Sequence, residues 1–117
     1  MILIMHELSI VEGILEAVIP EVKKHDVSKI LEIRLKIGEL SGIVPQCMQE
    51  YFQIAAAGTM ADGAKLKIER IPVRINCPDC GYDGSIKLGK YRCPQCNGIN
   101  FKLVSGREYY VDSVEAE

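Results

Sequence analysis

The chain has 117 residues, 48% of them hydrophobic, which suits one small domain or a small domain that carries a metal-stabilised lobe. Its formal net charge of −2 argues against a general nucleic-acid binder. No apolar run reaches the length of a membrane span, and the apolar start, Met1 to Met5, lacks the basic residues of a signal peptide.

The first predicted element is a helix that begins near Ser9. Ser9 and Glu12 match a capping box. Pro20 lies within the helical pattern and predicts a kink, and His25 in the last turn is expected to be an exposed residue. Apolar residues recur at helical spacing and predict one buried face, made of Val11, Ile14, Leu15, Val18, Ile19 and Val22.

A strand follows over residues 30–37, because apolar and charged residues alternate strictly there. The alternation predicts a buried face and a wet face, with Glu32, Arg34 and Lys36 on the wet side. Residues 38–42 contain two glycines and break the strand. The residues predicted to face inward are Leu31, Ile33, Leu35 and Ile37.

A second helix is predicted from Pro45, which suits a first helical position, to Gly58, which suits a helix end. The lone Cys47 lies on its apolar face and is expected to fill the core. Two more strands are predicted over residues 65–71, with Leu66 and Ile68 inward, and over residues 107–115. The inward pairs predicted for the helix are Cys47/Met48, Tyr51/Phe52 and Ile54/Ala55.

Two C-x-x-C pairs, Cys77/Cys80 and Cys93/Cys96, stand 12 residues apart. Each pair can place two thiolates on one metal, and four sulfurs suit a closed tetrahedral Zn(II) site. Iron accepts the same four sulfurs, so spacing alone leaves a rubredoxin-like site open. Disulfides are a further alternative, but a chain without a secretory segment and with a fifth, lone cysteine fits a reducing cytoplasm better.

The cysteines lie in a lobe, predicted over residues 73–104, that has few large apolar residues of its own: Ile86, Leu88 and Tyr91 stand between the two pairs. Such a lobe needs a metal to fold, and structural zinc contributes on the order of 10 kcal/mol. Because a strand pattern returns after the lobe, we predict an α+β fold in which a sheet of about three strands with two helices carries an inserted zinc ribbon. The domains are then residues 1–72 plus 105–117, and residues 73–104.

No catalytic constellation can be assembled from the sequence. It contains no phosphate-binding loop, no dinucleotide-binding turn and no nucleophile elbow, and only two histidines. We therefore predict a protein that is not an enzyme. A zinc-ribbon module that binds protein or nucleic acid is the alternative function, because the lobe carries five basic and two acidic side chains. Four thiolates on Zn(II) add a charge of about −2, which weakens that signal.

Four segments together resemble the hydrogenase maturation nickel metallochaperones of the HypA/HybF family: Met5-His6-Glu7-Leu8-Ser9-Ile10, the glycine-bounded residues 38–42, the two cysteine pairs, and residues 106–115. The resemblance covers nearly the whole chain. It implies an α/β domain that binds Ni(II) through Met5, His6 and Glu7, a structural zinc on Cys77, Cys80, Cys93 and Cys96, and delivery of nickel to [NiFe]-hydrogenase.

The partners that the resemblance implies are a maturation GTPase and the hydrogenase large subunit, and a homodimer is allowed. The charge and the hydropathy predict that neither nucleic acid nor a membrane is a partner. The cysteine content predicts a cytoplasmic location.

The implied nickel site has a chemical rationale that depends on where the chain starts. If Met5 is first, its amine, the His6 backbone nitrogen and the His6 imidazole close a five-membered and a six-membered chelate ring, and planar nitrogen sets suit Ni(II). Glu7, through its backbone nitrogen or carboxylate, or a partner's group, then fills the fourth place. Residues 1–4 precede this motif here, and while they remain the free amine belongs to Met1.

Overall fold

The structure is a computed structural model that describes the backbone of residues 2–117 and the side chains from residue 7 onward. It confirms the predicted α+β class. Helix α1 spans Ile2–Val22 and helix α2 spans Pro45–Ala56. The strands are β1 (Ile30–Gly38), β2 (Lys65–Ile71), β3 (Arg74–Asn76), β4 (Asp83–Ser85), β5 (Lys102–Ser105) and β6 (Tyr109–Ala116). Among the described residues, none of the helices has the length and apolarity needed to cross a membrane.

Two three-stranded sheets form, in the orders β2-β1-β6 and β4-β3-β5. The chain divides into two compact units, one made of Met1–Leu35, Ile43–Ile68 and Val111–Glu117 and the other of Lys36–Gly42 and Glu69–Tyr110. In the first unit α1 packs on α2, and the predicted apolar stripe of α1 is confirmed, with Val11 fully buried and Val18 6% exposed. His25 is exposed, as predicted.

Three predictions for this part of the chain are wrong. Ser9 is an exposed residue inside α1 and not its cap, because the helix already starts at Ile2 in a run of good helix formers. Ile54 is 69% exposed, since it lies about 200° around the helix from Phe52, which is buried. Glu32 is buried although it lies on the predicted wet face. Its carboxylate forms ion pairs with Arg34 and Lys67, which offset part of the lost hydration, while Oε2 makes no hydrogen bond with the described residues.

In the second unit, the end of β1 passes very close to the residues that lead into β6. The backbone N–H of Gly38 donates to the carbonyl of Glu108, and that of Leu40 donates to the carbonyl of Gly106, both at 2.7 Å. A Cβ on Gly38 would stand 2.1 Å from the Gly106 oxygen. Only glycine fits this approach at the last residue of β1.

Two carboxylates hold backbone N–H groups in the same unit. Oε1 of Glu39 accepts the N–H of Val73 at 3.1 Å, where the chain enters β3. Oε1 of Glu108 accepts the N–H of Gly106 at 2.7 Å. The N–H groups of Glu108 itself, Gly106 and Arg107 stabilise the charged carboxylate and lower the pKa of Glu108.

Candidate metal centres

The first cysteine pair forms a tight turn that aims both sulfurs the same way. The N–H of Gly81 donates to the carbonyl of Cys77 at 2.7 Å, and the N–H of Cys77 donates to the carbonyl of Tyr82 at 2.8 Å. The turn needs a left-handed residue, and Gly81 has a φ of 80°.

The second pair repeats the turn. The N–H of Asn97 donates to the carbonyl of Cys93 at 2.8 Å, and the N–H of Cys93 donates to the carbonyl of Gly98 at 2.9 Å. Here Asn97 takes the left-handed position with a φ of 61°, which asparagine tolerates better than most residues. The two turns therefore present their cysteines in the same way, in positions set by backbone hydrogen bonds.

The four sulfurs converge on one point. All lie within 4.8 Å of one another, with Cys77 and Cys96 at 3.7 Å and Cys80 and Cys93 at 3.5 Å. Zinc bonds of about 2.3 Å in a tetrahedron place sulfurs roughly 3.8 Å apart, so the cluster fits zinc. All five cysteines are free thiols, and the fifth, Cys47, is half-buried on α2.

The pKa values of the clustered thiols are shifted in opposite directions. Burial acts to raise the pKa of Cys93, but the N–H groups of Cys96 and Gln95 outweigh it and lower this pKa to about 7. The N–H of Tyr82 acts to lower the pKa of Cys80, but burial and the neighbouring thiols raise it to about 12. Four thiolates at these distances need a cation between them, so metal binding here releases protons.

The apolar core beneath the cluster is small. Its buried members are Val73, Ile75, Cys77, Ile86 and Cys93, so two of the cysteines themselves form part of it. Leu88 and Tyr91, counted above among the large apolar residues of the lobe, are 53% and 49% exposed. A core this small supports the inference that the fold of this unit depends on a metal.

The residues predicted for nickel lie in the first turns of α1. The side chains of Met5 and His6 lie outside the described part of the structure, whereas that of Glu7 is 1% exposed. Its Oε1 accepts the backbone N–H of Val44 at 3.2 Å. Sequence reasoning missed this contact, because Val44 carries no local signal that a partner 37 positions earlier holds its backbone.

Comparison with known proteins gives a consistent result. The family model described as hydrogenase/urease nickel incorporation, metallochaperone, hypA matches residues 5–116. A hydrogenase maturation factor HypA of Dehalococcoides mccartyi is 35% identical, with 97% of this chain and 95% of that protein covered. The factor of the same name in Chlorobium luteolum is 37% identical, with 94% of each chain covered.

Solved structures agree in fold. A solution structure of a HypA protein superposes with a TM-score of 0.70 at 25% identity and covers 97% of each chain. The solution structure of the Ni metallochaperone HypA from Helicobacter pylori superposes with a TM-score of 0.62 at 23% identity, covering 94% of this chain and 96% of that one. At that identity the second likeness concerns the fold alone.

Proposed function

Because this chain belongs to the HypA family of hydrogenase/urease nickel-incorporation metallochaperones, we propose that it binds Ni(II) at Met5-His6-Glu7 and releases it to a hydrogenase under assembly. The protein acts as a nickel metallochaperone in hydrogenase maturation, with a structural zinc and with nickel as cargo. The observation that carries this conclusion is the family match, which begins at Met5 and runs to residue 116.

The proposed nickel ligands follow from the covalent order of the motif. In a chain that starts at Met5, the terminal amine, the His6 backbone nitrogen and the His6 imidazole form two fused chelate rings around one metal. Three nitrogen donors in a plane suit Ni(II). A fourth ligand completes the set. A set with one exchangeable position allows release, which a carrier requires.

The proposed zinc ligands are Cys77, Cys80, Cys93 and Cys96. Their convergence within 4.8 Å and the matched turns that hold them support this assignment. Four thiolates leave no position for a substrate, so the zinc stabilises the fold and does not take part in chemistry. We assign residues 73–104 to the zinc ribbon and residues 1–72 plus 105–117 to the nickel-binding domain; this functional boundary is a prediction.

The role implies work with the hydrogenase maturation machinery. We propose that the partners are a maturation GTPase and the hydrogenase large subunit, that the chain can form a homodimer, and that it meets them in the cytoplasm. We further propose that the protein is not an enzyme, since a carrier needs ligands that hold and release a metal and needs no group that transforms a substrate.

The test is a nickel titration of a chain that begins at Met5. His6→Ala should weaken nickel binding by more than about a hundredfold, beyond the effect expected for an outer-shell group. The matched control is His25→Ala, which changes the other of the two histidines and should bind nickel like the parent. If the His6→Ala chain binds nickel as tightly as the parent, the proposed site is wrong.

A further inference from the structure

The buried carboxylate of Glu7 lies where helix α2 begins. Its Oε1 is 3.2 Å from the backbone nitrogen of Val44, and the residue is 1% exposed. A buried carboxylate loses its hydration and needs hydrogen-bond donors in exchange. The Val44 N–H supplies one, and the positive end of the α2 dipole favours the negative charge. The carboxylate is therefore already engaged within the fold.

Helix α2 lacks the local residues that normally serve its start. Val44 is its N-cap, with extended backbone angles and no side-chain cap, and Pro45 follows at the first helical position. In a capping box, a Glu or Gln three residues after the cap accepts the N–H of the cap residue. That position holds Cys47, a poor acceptor. Glu7, which belongs to α1, accepts the N–H of Val44 instead.

The chemistry of the proposed chelate leaves little room for Glu7 in the nickel plane. The His6 backbone nitrogen shares one ring with the terminal amine and another with its own imidazole. A donor in a square plane has only two adjacent positions, and these two rings fill both. The Glu7 backbone nitrogen would need a third adjacent position, because it also chelates through the His6 nitrogen. The fourth planar ligand must therefore stand opposite the His6 nitrogen.

From these two observations, and on the basis of the proposed nickel site, we propose that Glu7 is a positioning residue and not a planar nickel ligand. Its carboxylate holds the part of α1 that contains the motif against the start of α2. A helical backbone has a ψ near −42°, whereas an extended one has a ψ near +135°. The five-membered ring through Met5 needs a small ψ, so a fixed helical turn prepares the backbone for it. The fourth planar place is left to an exchangeable ligand.

The experiment compares nickel affinity and the nickel absorption spectrum in chains that begin at Met5. Glu7→Ala removes the anchor and should weaken nickel binding by about tenfold, the effect of releasing roughly one residue's backbone. Glu7→Gln keeps an acceptor for the Val44 N–H and should recover most of the loss, although a neutral acceptor is weaker than a carboxylate. The absorption band should keep its position in both variants, since the donor set is unchanged. Glu12→Ala, an exposed site on the same helix, is the control and should match the parent.

Added imidazole should shift the band equally in the parent and in Glu7→Gln, because the exchangeable place is present in both. Two outcomes would overturn the proposal. If Glu7→Gln loses as much affinity as Glu7→Ala and its band moves, the carboxylate is a ligand. If Glu7→Ala binds nickel like the parent, Glu7 positions nothing.

Failure of the nickel site itself has a separate signature, because in that case His6→Ala would bind nickel like the parent. Far-UV circular dichroism confirms that each variant folds, and Glu7→Gln keeps the test valid if Glu7→Ala does not.

Discussion

Replacing Gly38 by alanine should strongly destabilise the unit that contains the four cysteines. A Cβ at this position would stand 2.1 Å from the carbonyl oxygen of Gly106 and 2.7 Å from the backbone nitrogen of Arg107. Normal contacts of this kind need about 3.5 Å. Both clashing atoms belong to the backbone, so no side chain can rotate away, and the two chain segments must separate by roughly 1 Å or more.

The cost can be built from two terms. Separation of the two segments weakens two hydrogen bonds, from the Gly38 N–H to the carbonyl of Glu108 and from the Leu40 N–H to the carbonyl of Gly106, both 2.7 Å long. Each such bond contributes about 0.5–1.5 kcal/mol to stability. Forcing an extra methyl group into a packed site adds about 1–3 kcal/mol. We therefore expect Gly38→Ala to reduce the free energy of unfolding by about 2–6 kcal/mol.

Urea unfolding of the zinc-loaded chain, followed by circular dichroism and by zinc release to a chromogenic chelator, measures this loss. Gly13→Ala is the matched control, because a Cβ at Gly13 meets no atom within 4 Å. Gly13 lies inside helix α1, where alanine should stabilise by about 1 kcal/mol. The reasoning is refuted if Gly38→Ala unfolds within about 0.5 kcal/mol of the parent.

Three further predictions concern the zinc site, Glu108 and the buried face of α2. Cys93→Ala should abolish zinc binding and lower Tm, while nickel affinity stays within about tenfold of the parent; Cys47→Ala should retain zinc, and loss of both metals together in Cys93→Ala would contradict independent sites. Because the pKa of Glu108 is lowered in the folded protein, its charge stabilises the fold above the ordinary carboxyl pKa, and this contribution is lost as pH falls through the lowered value. Glu108→Gln should therefore lower Tm near about pH 7 and match the parent in acid; an equal difference in Tm at both pH values would show that the charge is irrelevant. Phe52→Ala should destabilise by about 3–5 kcal/mol in urea, whereas Ile54→Ala, at an exposed site, should change stability by less than about 0.5 kcal/mol; similar losses would refute the assigned helix face.

Local patterns predicted most of the fold. Strict alternation placed β1 and β2 within a residue of their observed bounds, because a sheet with one buried face enforces a period of two. Pro45 marked the first residue of α2. The turns at Gly81 and Asn97 were also predictable, since a C-x-x-C turn requires a left-handed residue that few side chains tolerate.

The features that sequence reasoning missed depend mostly on tertiary contacts. Ser9 matches a helix cap in its local sequence, but such a pattern shows only that the residue could cap a helix. The helix in fact begins earlier in the chain, at Ile2. Glu32 was predicted to be wet from its place in the alternating pattern, whereas it is buried and pairs with Lys67, a residue on a different strand. The anchoring of Val44 by Glu7 joins two helices, and the resemblance to a family had suggested Glu7 only as a ligand. For Glu32 and for Glu7 the deciding contact is distant in sequence.

The central claim is that one chain holds two metals in opposite ways: zinc enclosed by four thiolates and nickel in an open set. Its most direct test is elemental analysis of a nickel-loaded chain beginning at Met5, before and after challenge with a mild chelator. The account predicts one zinc per chain at both points, with nickel present at first and then lost, because a closed tetrahedral site exchanges its metal far less readily than an open one. Loss of both metals together, or iron in place of zinc, would contradict it.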